Sequence, residues 1–324
     1  GRVAITGAVS YSGRYVAKKV LEGGGEVVNL SRRSEPIAVA PLTSGEARHL
    51  TEERRCPNWD DVESLSKAME GCEVLFCTYW ERFVGSDAHA AAVERCETLF
   101  EAARRQPSMQ KIVFTSHTRA SEASRFPYVA GKARAAAALR RSGVDYAIVR
   151  PCGIFGDAPE ESILLNNAAW VLRRVPLFLA AGDGSHRFQP IHVRDLADLM
   201  VELASENGSP RELDACGPDA PTALELFVRL RDACGAPATV LPAGGWLSTE
   251  AITTLTQPIN YLTGDVLLDK DDLDLLCDGL TTADDPSDPR IAPRRSLFDW
   301  IQAHGSDLGL NYVSSMRRYY YSSS

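Results

Sequence analysis

A tyrosine and a lysine four positions apart are the residues of this chain best suited to acid–base chemistry. Tyr128 and Lys132 lie in a segment with helical periodicity, so their side chains project from one face of the predicted helix. The lysine ammonium would favour the phenolate form of the tyrosine. The hydroxyl of Ser116, at the end of the preceding predicted strand, could bind a carbonyl or alcohol oxygen. Together the three side chains could donate or remove one proton during a hydride transfer.

Position in the chain distinguishes this pair, because the same spacing occurs again at Tyr15 and Lys19. The earlier pair falls where the first predicted helix leaves a glycine-containing turn, and no catalytic role is expected there. Only the later pair follows a predicted strand that ends in serine and precedes one that ends in Arg150-Pro151. We therefore restrict the catalytic prediction to the later pair and its serine.

A turn near the start of the chain is the candidate binding element. It joins an apolar run at 3–5 to a helical pattern that begins after Gly13. Backbone N–H groups and the positive end of the helix dipole can receive a pyrophosphate there, and glycine permits its close approach. Ser10 replaces the middle glycine of the usual pattern; its hydroxyl can bond a phosphate, but its Cβ restricts the approach. The alternative is a tight turn that only packs the helix on the strand. The predicted cofactor contacts are Gly7, Ser10, Tyr11, Ser12 and Gly13.

The residues after the second predicted strand, at 26–30, favour one dinucleotide over the other. Ser31 stands where a carboxylate would hold the ribose 2′-hydroxyl of NAD(H), and Arg32 and Arg33 follow it. A guanidinium group pairs with a 2′-phosphate through charge-assisted hydrogen bonds, whereas a carboxylate would repel it. We therefore predict NADP(H) in preference to NAD(H), with a solvated basic loop as the alternative.

The rest of the first 150 residues alternates between strand and helix patterns. Strands are predicted at 74–78, 111–116 and 144–149, helices at 60–69, 87–103 and 128–142 with Asp87 as a cap, and an irregular segment at 35–58. This alternation predicts an α/β fold with right-handed βαβ units and a doubly wound parallel sheet. Thr78 ends its strand at the carboxyl edge, where such sheets bind ligands, and is predicted to contact the cofactor.

Composition and charge exclude several classes of protein. The 324 residues carry a net charge of −8, which argues against nucleic acid as a partner. No apolar run approaches about 18 residues, so no membrane span is expected. The eight cysteines are scattered, without C-x-x-C pairs or histidine clusters of metal-ligand spacing. We expect reduced thiols, a reducing compartment and no metal.

The compartment is expected from the start of the chain. Gly1 lies directly before the first predicted strand, and there is no initiator methionine. A targeting peptide that has been removed would explain this. We expect a soluble protein of the cytoplasm or of the matrix or stroma of an organelle.

An ordered set of motifs resembles the extended and atypical short-chain dehydrogenase/reductases. The motifs are Thr6-Gly7-Ala8 with Gly13, Arg32-Arg33, Thr115-Ser116, Tyr128 with Lys132, Arg150–Gly156 and Gln189–Ala197. Over roughly 2–245, the chain looks most similar to the branch containing NmrA-like proteins and the dehydrogenase-like accessory subunit of respiratory complex I. Residues 164–167, 173–176 and 182–184 carry that impression. The resemblance implies that Tyr128 is the acid–base residue, that Lys132 is its partner, and that Pro151 and Ile154 adjoin the nicotinamide.

The predicted domains follow the same pattern. We expect a Rossmann-type domain over 1–205, with 158–188 inserted into the substrate lobe, a smaller lobe over 206–295, and a terminal helix and tail over 296–324. The apolar stretch at 246–268 is expected to form a lid over a cleft or to pack on the sheet edge. Ser296 is expected to cap a helix, and the tail at 317–324, with its arginines and tyrosines, to fray or to dock on protein partners.

Three functions stay open at this point. The chain could be an NADP(H)-dependent oxidoreductase acting on a small carbonyl or alcohol substrate, a non-catalytic nucleotide-binding subunit of a large organellar electron-transfer assembly, or a redox-sensing regulator. Ser116 and Tyr128 are only twelve positions apart, closer than is usual in the extended enzymes, so the loop that normally carries substrate contacts is shortened. Members of this branch often keep a nucleotide without turnover, so the Tyr128 and Lys132 pair does not by itself imply catalysis.

Overall fold

The computed structural model describes residues 1–80, 87–206, 211–244, 247–263 and 270–319. The chain divides into two compact units. The first contains Gly1–Arg150 and Leu196–Asp214, and the second contains Pro151–Asp195 and the described residues from Ala215 onward.

The elements alternate along the first half of the chain as expected. In chain order the strands are β1 (Arg2–Thr6), β2 (Glu26–Leu30), β3 (Val74–Cys77), β4 (Lys111–Thr115), β5 (Asp145–Arg150), β6 (Ile154–Phe155), β7 (Leu177–Ala180), β8 (Ile191–His192), β9 (Arg211–Asp214) and β10 (Thr239–Pro242). The helices are α1 (Tyr11–Glu22), α2 (Ser44–Glu52), α3 (Val62–Ala68), α4 (Ala88–Arg104), α5 (Pro127–Arg141), α6 (Ile163–Leu172), α7 (Val193–Ser205), α8 (Ala223–Cys234), α9 (Thr249–Thr263), α10 (Lys270–Cys277), α11 (Leu297–His304) and α12 (Ser315–Tyr319), with a 3₁₀ helix at Pro159–Glu161.

The first unit is built on a sheet of six strands in the order β2-β1-β3-β4-β5-β9. Every neighbouring pair is parallel, which confirms the predicted doubly wound parallel α/β fold. Because the strands run in one direction, the residues that follow Thr6, Cys77 and Thr115 meet at the same carboxyl edge. The candidate site is therefore expected at this edge of the sheet.

Apolar strand residues and helices α3, α4 and α5 form the buried core on one face of this sheet. The cluster includes Leu65, Leu75, Leu99, Phe114, Leu139 and Ile148. Elsewhere in the unit, the Lys19 ammonium lies 2.6 Å from the Asp198 carboxylate and joins α1 to α7. The Lys111 ammonium donates a 3.1 Å hydrogen bond to the Leu203 carbonyl and ties β4 to α7. Apolar packing and these ties hold the helices on the sheet.

The expectation of an irregular segment over 35–58 is wrong for α2. This helix begins with a capping box, in which the Thr43 hydroxyl accepts from the Glu46 amide at 3.2 Å and the Glu46 carboxylate accepts from the Thr43 amide at 2.7 Å. The pattern Thr-x-x-Glu is a known helix-start signal. The Lys18 ammonium, 3.1 Å from the Glu46 carboxylate, attaches α2 to α1.

The prediction that Asp87 caps α4 is confirmed for its position, but a side-chain cap is not formed. Asp87 occupies the N-cap position, but its side chain makes no capping hydrogen bond. Its backbone has φ −102° and ψ 8°, whereas the extended conformation is the one that turns an N-cap side chain toward the first helical amides. Aspartate is a suitable residue type for an N-cap, but the backbone conformation at Asp87 does not turn its side chain toward those amides.

The second unit contains two small parallel sheets, β7 with β10 and β6 with β8, and its own apolar core. That core includes Leu165, Leu172, Leu226, Leu230, Trp300 and Ile301. The Ser296 hydroxyl accepts from the Asp299 amide at 3.2 Å, so the predicted cap of α11 is confirmed. Helices α6, α8 and α11 pack around this apolar core.

The predicted lobe boundaries and lid stay predictions. The boundaries assigned 206–295 to the C-terminal lobe, while the structure pairs β9 with β5 inside the first unit. Helix α9 occupies part of the predicted lid at 246–268, of which residues 246 and 264–268 lie outside the described residues. No helix within the described ranges is both long and apolar enough to cross a membrane.

The C-terminal segment is held to α6 by side chains. The amide groups of Asn166 and Asn167 donate to the carbonyls of Asn311 and Val313, each at 2.9 Å. The Arg318 guanidinium then lies 3.5 Å from the Glu161 carboxylate. Arg317 and Arg318 of the predicted tail thus belong to α12, while 320–324 lie outside the described residues.

Candidate functional site

The glycine turn joins β1 to α1 as predicted. Gly7 has φ +73°, a left-handed conformation that a side chain would strain, and its amide donates to the Leu30 carbonyl at 2.9 Å. Helix α1 begins at Tyr11, so Tyr11, Ser12 and Gly13 form its first turn. Helix geometry leaves the first amides without an acceptor inside the helix, and this is the arrangement that can bind a pyrophosphate.

Ser10 fits the turn because Gly7 and Gly13, which lie next to it in space, lack side chains. Its hydroxyl lies 3.2 Å from the point where a Cβ of Gly7 would stand and 2.9 Å from that of Gly13. Ser10 occupies the N-cap position without making a side-chain cap bond. The hydroxyl therefore lies beside the glycines, and its role toward a phosphate stays a prediction.

The end of β2 carries polar groups and no carboxylate at the position expected to recognise NAD(H). The Arg33 amide donates to the Ser31 hydroxyl at 3.0 Å; the Arg32 side chain is exposed and that of Arg33 is half-buried. Just before them, the Asn29 carboxamide accepts from the Ala8 amide and donates to the Leu50 carbonyl, both at 2.9 Å. Asn29 thus connects the glycine turn with α2, a role that no sequence pattern indicated.

Tyr128 lies near the start of α5 among three other aromatic rings. Its ring centroid is 6.0 Å from that of Trp80, 5.8 Å from that of His89 and 5.5 Å from that of His117. The Trp80 indole N–H donates to Nδ1 of His89 at 3.2 Å. Trp80 lies three residues after the end of β3, at the edge where ligands are expected, whereas His89 and His117 carried no sequence signal for the site.

Lys132 is buried one turn further along the same face of α5, with 3% of its surface exposed. Its ammonium donates to the Thr115 carbonyl at 2.7 Å and lies 4.3 Å from the Trp80 ring centroid. Gly131 permits this packing, because a Cβ there would stand 3.0 Å from the Trp80 ring. Burial lowers the pKa of Lys132 to about 8, since the charged form loses its hydration.

Ser116 directly follows Thr115, whose carbonyl accepts from Lys132. It lines a pocket of about 370 Å³ together with Ala133, Ala136 and Arg140 of α5. At 100° per residue, these positions lie roughly 90° around the helix from Tyr128 and Lys132. Ser116 is 2% exposed, and its hydroxyl has no hydrogen-bond partner among the residues that the structure describes.

The remaining predicted contacts are at two strand ends. The Thr78 hydroxyl donates to the Thr6 carbonyl at 2.7 Å, and its amide donates to the Thr6 hydroxyl at 2.8 Å. Thr78 therefore joins the ends of β1 and β3. Pro151 and Ile154 belong to the second unit, and their contact with a nicotinamide stays a prediction.

The described part of the chain holds no group of three histidine, cysteine or acidic side chains placed to bind a metal ion. The eight cysteines are free thiols. Two of them, Cys77 and Cys96, are buried near Lys132, and their Coulomb interaction with it raises the lysine pKa against the larger effect of burial. The polar groups of the first unit that could form a site are therefore those of the glycine turn, the arginine pair and the face of α5 that carries Tyr128 and Lys132.

Comparison with known proteins agrees with this geometry. Residues 7–207 match the model of a family described as NAD(P)H-binding. A curated mitochondrial protein of Arabidopsis thaliana, NADH dehydrogenase (ubiquinone) 1 alpha subcomplex subunit 9, is 24% identical over 231 residues, which cover 68% of this chain and 55% of that protein. The chain thus spans about half the length of that relative.

Solved reductases and epimerases share the fold. An NADPH-dependent quinone oxidoreductase of Escherichia coli, complexed with NADPH, has a TM-score of 0.69 at 19% identity, covering 93% of this chain and 99% of that one. The triphenylmethane reductase of Citrobacter, complexed with NADP(H), has a TM-score of 0.70 at 17% identity, covering 94% and 100%. A UDP-glucose 4-epimerase of Thermotoga maritima has a TM-score of 0.58 at 17% identity, covering 75% and 86%.

Proposed function

The chain belongs to the NAD(P)H-binding family, and from this premise we propose that its first unit holds NADP(H) as a bound, non-catalytic nucleotide. We further propose that it does so as an accessory subunit of an electron-transfer assembly of the respiratory complex I type. The nucleotide, the lack of turnover and the assembly are supported by different observations.

The glycine turn and the residues after β2 support NADP(H) in particular. The first-turn amides of Tyr11, Ser12 and Gly13 would hold the pyrophosphate, with the positive end of the α1 dipole behind them. Ser31 offers no carboxylate to repel a 2′-phosphate, and the guanidinium groups of Arg32 and Arg33 would pair with it. When bound, the nucleotide would supply a hydride donor or acceptor.

The contacts of Lys132 carry the proposal of a non-catalytic role. Lys132 is buried, with 3% of its surface exposed. The Lys132 ammonium is engaged by the Thr115 carbonyl and lies against the Trp80 ring. Proton transfer to a substrate needs its groups within hydrogen-bond reach of one reacting atom, and an ammonium group engaged in this way favours a role other than proton transfer.

The accessory role is supported by the named relative and by the second unit. At 24% identity over 55% of its length, the Arabidopsis protein suggests a mitochondrial assembly for this chain. The α6 side chains that hold the C-terminal segment would give α12 a fixed place from which to meet a partner. An organellar location follows from the same proposal.

A catalytic reductase is the second candidate, and one observation favours it. Tyr128 and Lys132 share one face of α5 against Trp80, and burial keeps the lysine pKa at about 8, in the range useful for proton transfer at neutral pH. Its substrate would be a small carbonyl or alcohol compound. The two candidates differ in whether Tyr128 matters for NADPH consumption.

Replacing both Arg32 and Arg33 by alanine is expected to raise the dissociation constant for NADPH about 100-fold, because charge-assisted hydrogen bonds contribute about 1.5–3 kcal/mol each. The dissociation constant for NADH should change less than about threefold, since NADH lacks the 2′-phosphate. Titration calorimetry with both nucleotides measures the two values. The exposed pair Arg104 and Arg105 at the C-terminal end of α4, changed to alanine, is the matched control. Equal weakening of NADPH and NADH would contradict the NADP(H) assignment.

Changing Tyr128 to phenylalanine is expected to leave the dissociation constant for NADPH within about twofold, because the ring contacts with Trp80, His89 and His117 are kept. The wild-type chain should consume no NADPH above background with quinones, aldehydes or ketones, read as loss of the NADPH absorbance. Tyr146 changed to phenylalanine is the control. NADPH consumption by the wild type that disappears only in Tyr128→Phe would establish the reductase instead. Migration of the native chain as a free monomer or dimer in organelle extracts would count against the accessory role.

A further inference from the structure

Arg14 is a buried arginine in the first turn of α1, directly after the last glycine of the turn. None of its surface is exposed, and the first turn of α1 contains no acidic residue. A positive charge near a helix N-terminus opposes the helix dipole, and a guanidinium group resists removal from water. Packing alone would be served better by an apolar side chain, so the contacts of Arg14 need another explanation.

The guanidinium group of Arg14 bridges two backbone segments. Its Nε donates to the Ala40 carbonyl, and its Nη1 donates to the Ser10 carbonyl at 3.4 Å. The group also lies 5.1 Å from the ring centroid of Tyr15 and 5.9 Å from that of Tyr11, within the range of cation–π attraction. One end of the bridge is therefore the glycine turn, and the other lies in the segment after β2.

That segment is the one that carries the arginine pair. After Arg32 and Arg33 the chain returns to the glycine turn, where the Ile37 amide donates to the Val9 carbonyl at 3.2 Å. The Arg14 contact at Ala40 follows three residues later. Two ties to the turn thus close the segment at 31–40 into a short loop, and Arg14 supplies the side-chain tie.

We propose that Arg14 is a positioning residue for NADP(H) recognition. By tying Ala40 to Ser10, it holds the segment that carries Arg32 and Arg33 beside the turn that receives the pyrophosphate. Its buried charge also adds positive potential behind the phosphates. The proposal rests on the proposed NADP(H) binding and assigns Arg14 no contact with the nucleotide: the ligand it serves is the 2′-phosphoadenosine end.

The chemistry of arginine suits this task better than that of lysine. A guanidinium group presents several N–H donors in a rigid plane, so one side chain can reach two carbonyls and still stack on aromatic rings. An ammonium group is a point donor on a flexible stem and gives up its hydration less readily. Arg14→Lys therefore keeps the charge but is expected to lose the bridge, while Arg14→Met removes both.

The test measures dissociation constants for NADPH and NADH by calorimetry in the wild type, Arg14→Lys, Arg14→Met, the double variant Arg32→Ala/Arg33→Ala and the triple variant that combines the double variant with Arg14→Met. We expect both Arg14 variants to weaken NADPH about tenfold and NADH less than about twofold. In the background that lacks Arg32 and Arg33, Arg14→Met should weaken NADPH no further than NADH, because coupled residues are not additive. Lys18→Met, which removes the ion pair from α1 to Glu46, is the matched control.

The possible outcomes separate the two proposals. A wild-type chain that binds NADPH and NADH equally would overturn the proposed NADP(H) function. A wild-type preference for NADPH that survives in both Arg14 variants would overturn only the positioning role. Where Arg14→Met fails to fold, Arg14→Lys carries the test, together with hydrogen exchange of the amides at 31–40, which should quicken in the variant. If hydrogen exchange at 31–40 and the preference for NADPH over NADH are both unchanged, Arg14 only packs in the core and does not position the segment.

Discussion

Gly13→Ala is expected to destabilise the first unit by about 2 kcal/mol and to abolish nucleotide binding. A Cβ at Gly13 would stand 2.0 Å from the Gly7 carbonyl oxygen and 2.9 Å from its carbon, and both are backbone atoms of the β1 end that cannot turn aside. Overpacking of this kind costs about 1–3 kcal/mol and occasionally more. The better helix propensity of alanine returns at most about 1 kcal/mol, so the clash outweighs it. Urea unfolding followed by circular dichroism measures the loss.

Gly45 provides a matched control for this substitution. It lies in the first turn of α2, and a Cβ there would meet nothing within 4 Å. Gly45→Ala should therefore leave stability unchanged or raise it by up to about 1 kcal/mol. Equal urea midpoints for the two variants would show that α1 can move away from β1, and the turn would then not be held in the shape that the nucleotide needs.

The parts of the fold that were predictable are those with a repeating local pattern. Strand β2 begins and ends at the predicted residues, and β1 differs from its prediction by one residue at each end, because short buried runs between glycines admit few alternatives. Helix α2 had a readable start signal in Thr43 and Glu46. The hydrophobic period predicts no helix there, because few apolar residues follow the cap. Asp87 shows a different limit of prediction from sequence. Aspartate is a good capping residue, but side-chain capping also needs an extended backbone, which the residue type does not guarantee.

The contacts that shape the site were not predictable in the same way. Asn29 reaches the turn 21 positions before it and Arg14 reaches a carbonyl 26 positions after it, and neither residue follows a helix or strand period. The packing of Trp80 on Lys132 depends on the absence of a side chain at Gly131. Polar and aromatic contacts of this kind follow from the tertiary arrangement. The sequence shows the types of the two residues in such a contact, but not that they meet.

The buried lysine should make the stability of the first unit depend on pH. Burial lowers the pKa of Lys132 to about 8, while an unfolded lysine titrates near 10.4. Between these values the unfolded chain binds more protons than the folded one, so stability rises with pH there; below about 8 the full cost of the buried charge is present. From pH ~7 to ~9.5 this single group should add on the order of 2 kcal/mol to the free energy of unfolding.

Lys132→Met isolates that contribution from the other titrating groups. Methionine is close to lysine in length and apolar, so it should fill the space beside Trp80 without a charge, and its unfolding free energy should lack this pH-dependent gain. Urea midpoints at pH ~7 and ~9.5 give the difference between wild type and variant at each pH. Other ionisable groups cancel in that difference. The pH-independent part of losing the hydrogen bond to the Thr115 carbonyl cancels when the differences at the two pH values are compared.

Lys67→Met is the control, because Lys67 is an exposed lysine on α3 and its difference from wild type should not change over this pH range. A Lys132→Met difference that is equally independent of pH would mean that the ammonium keeps its ordinary proton affinity. The contacts with Thr115 and Trp80 would then compensate fully for its burial. In that case the lysine would cost the fold nothing, and its retention would need no function. The expected pH dependence instead identifies a charge that is kept in the core at a cost to stability.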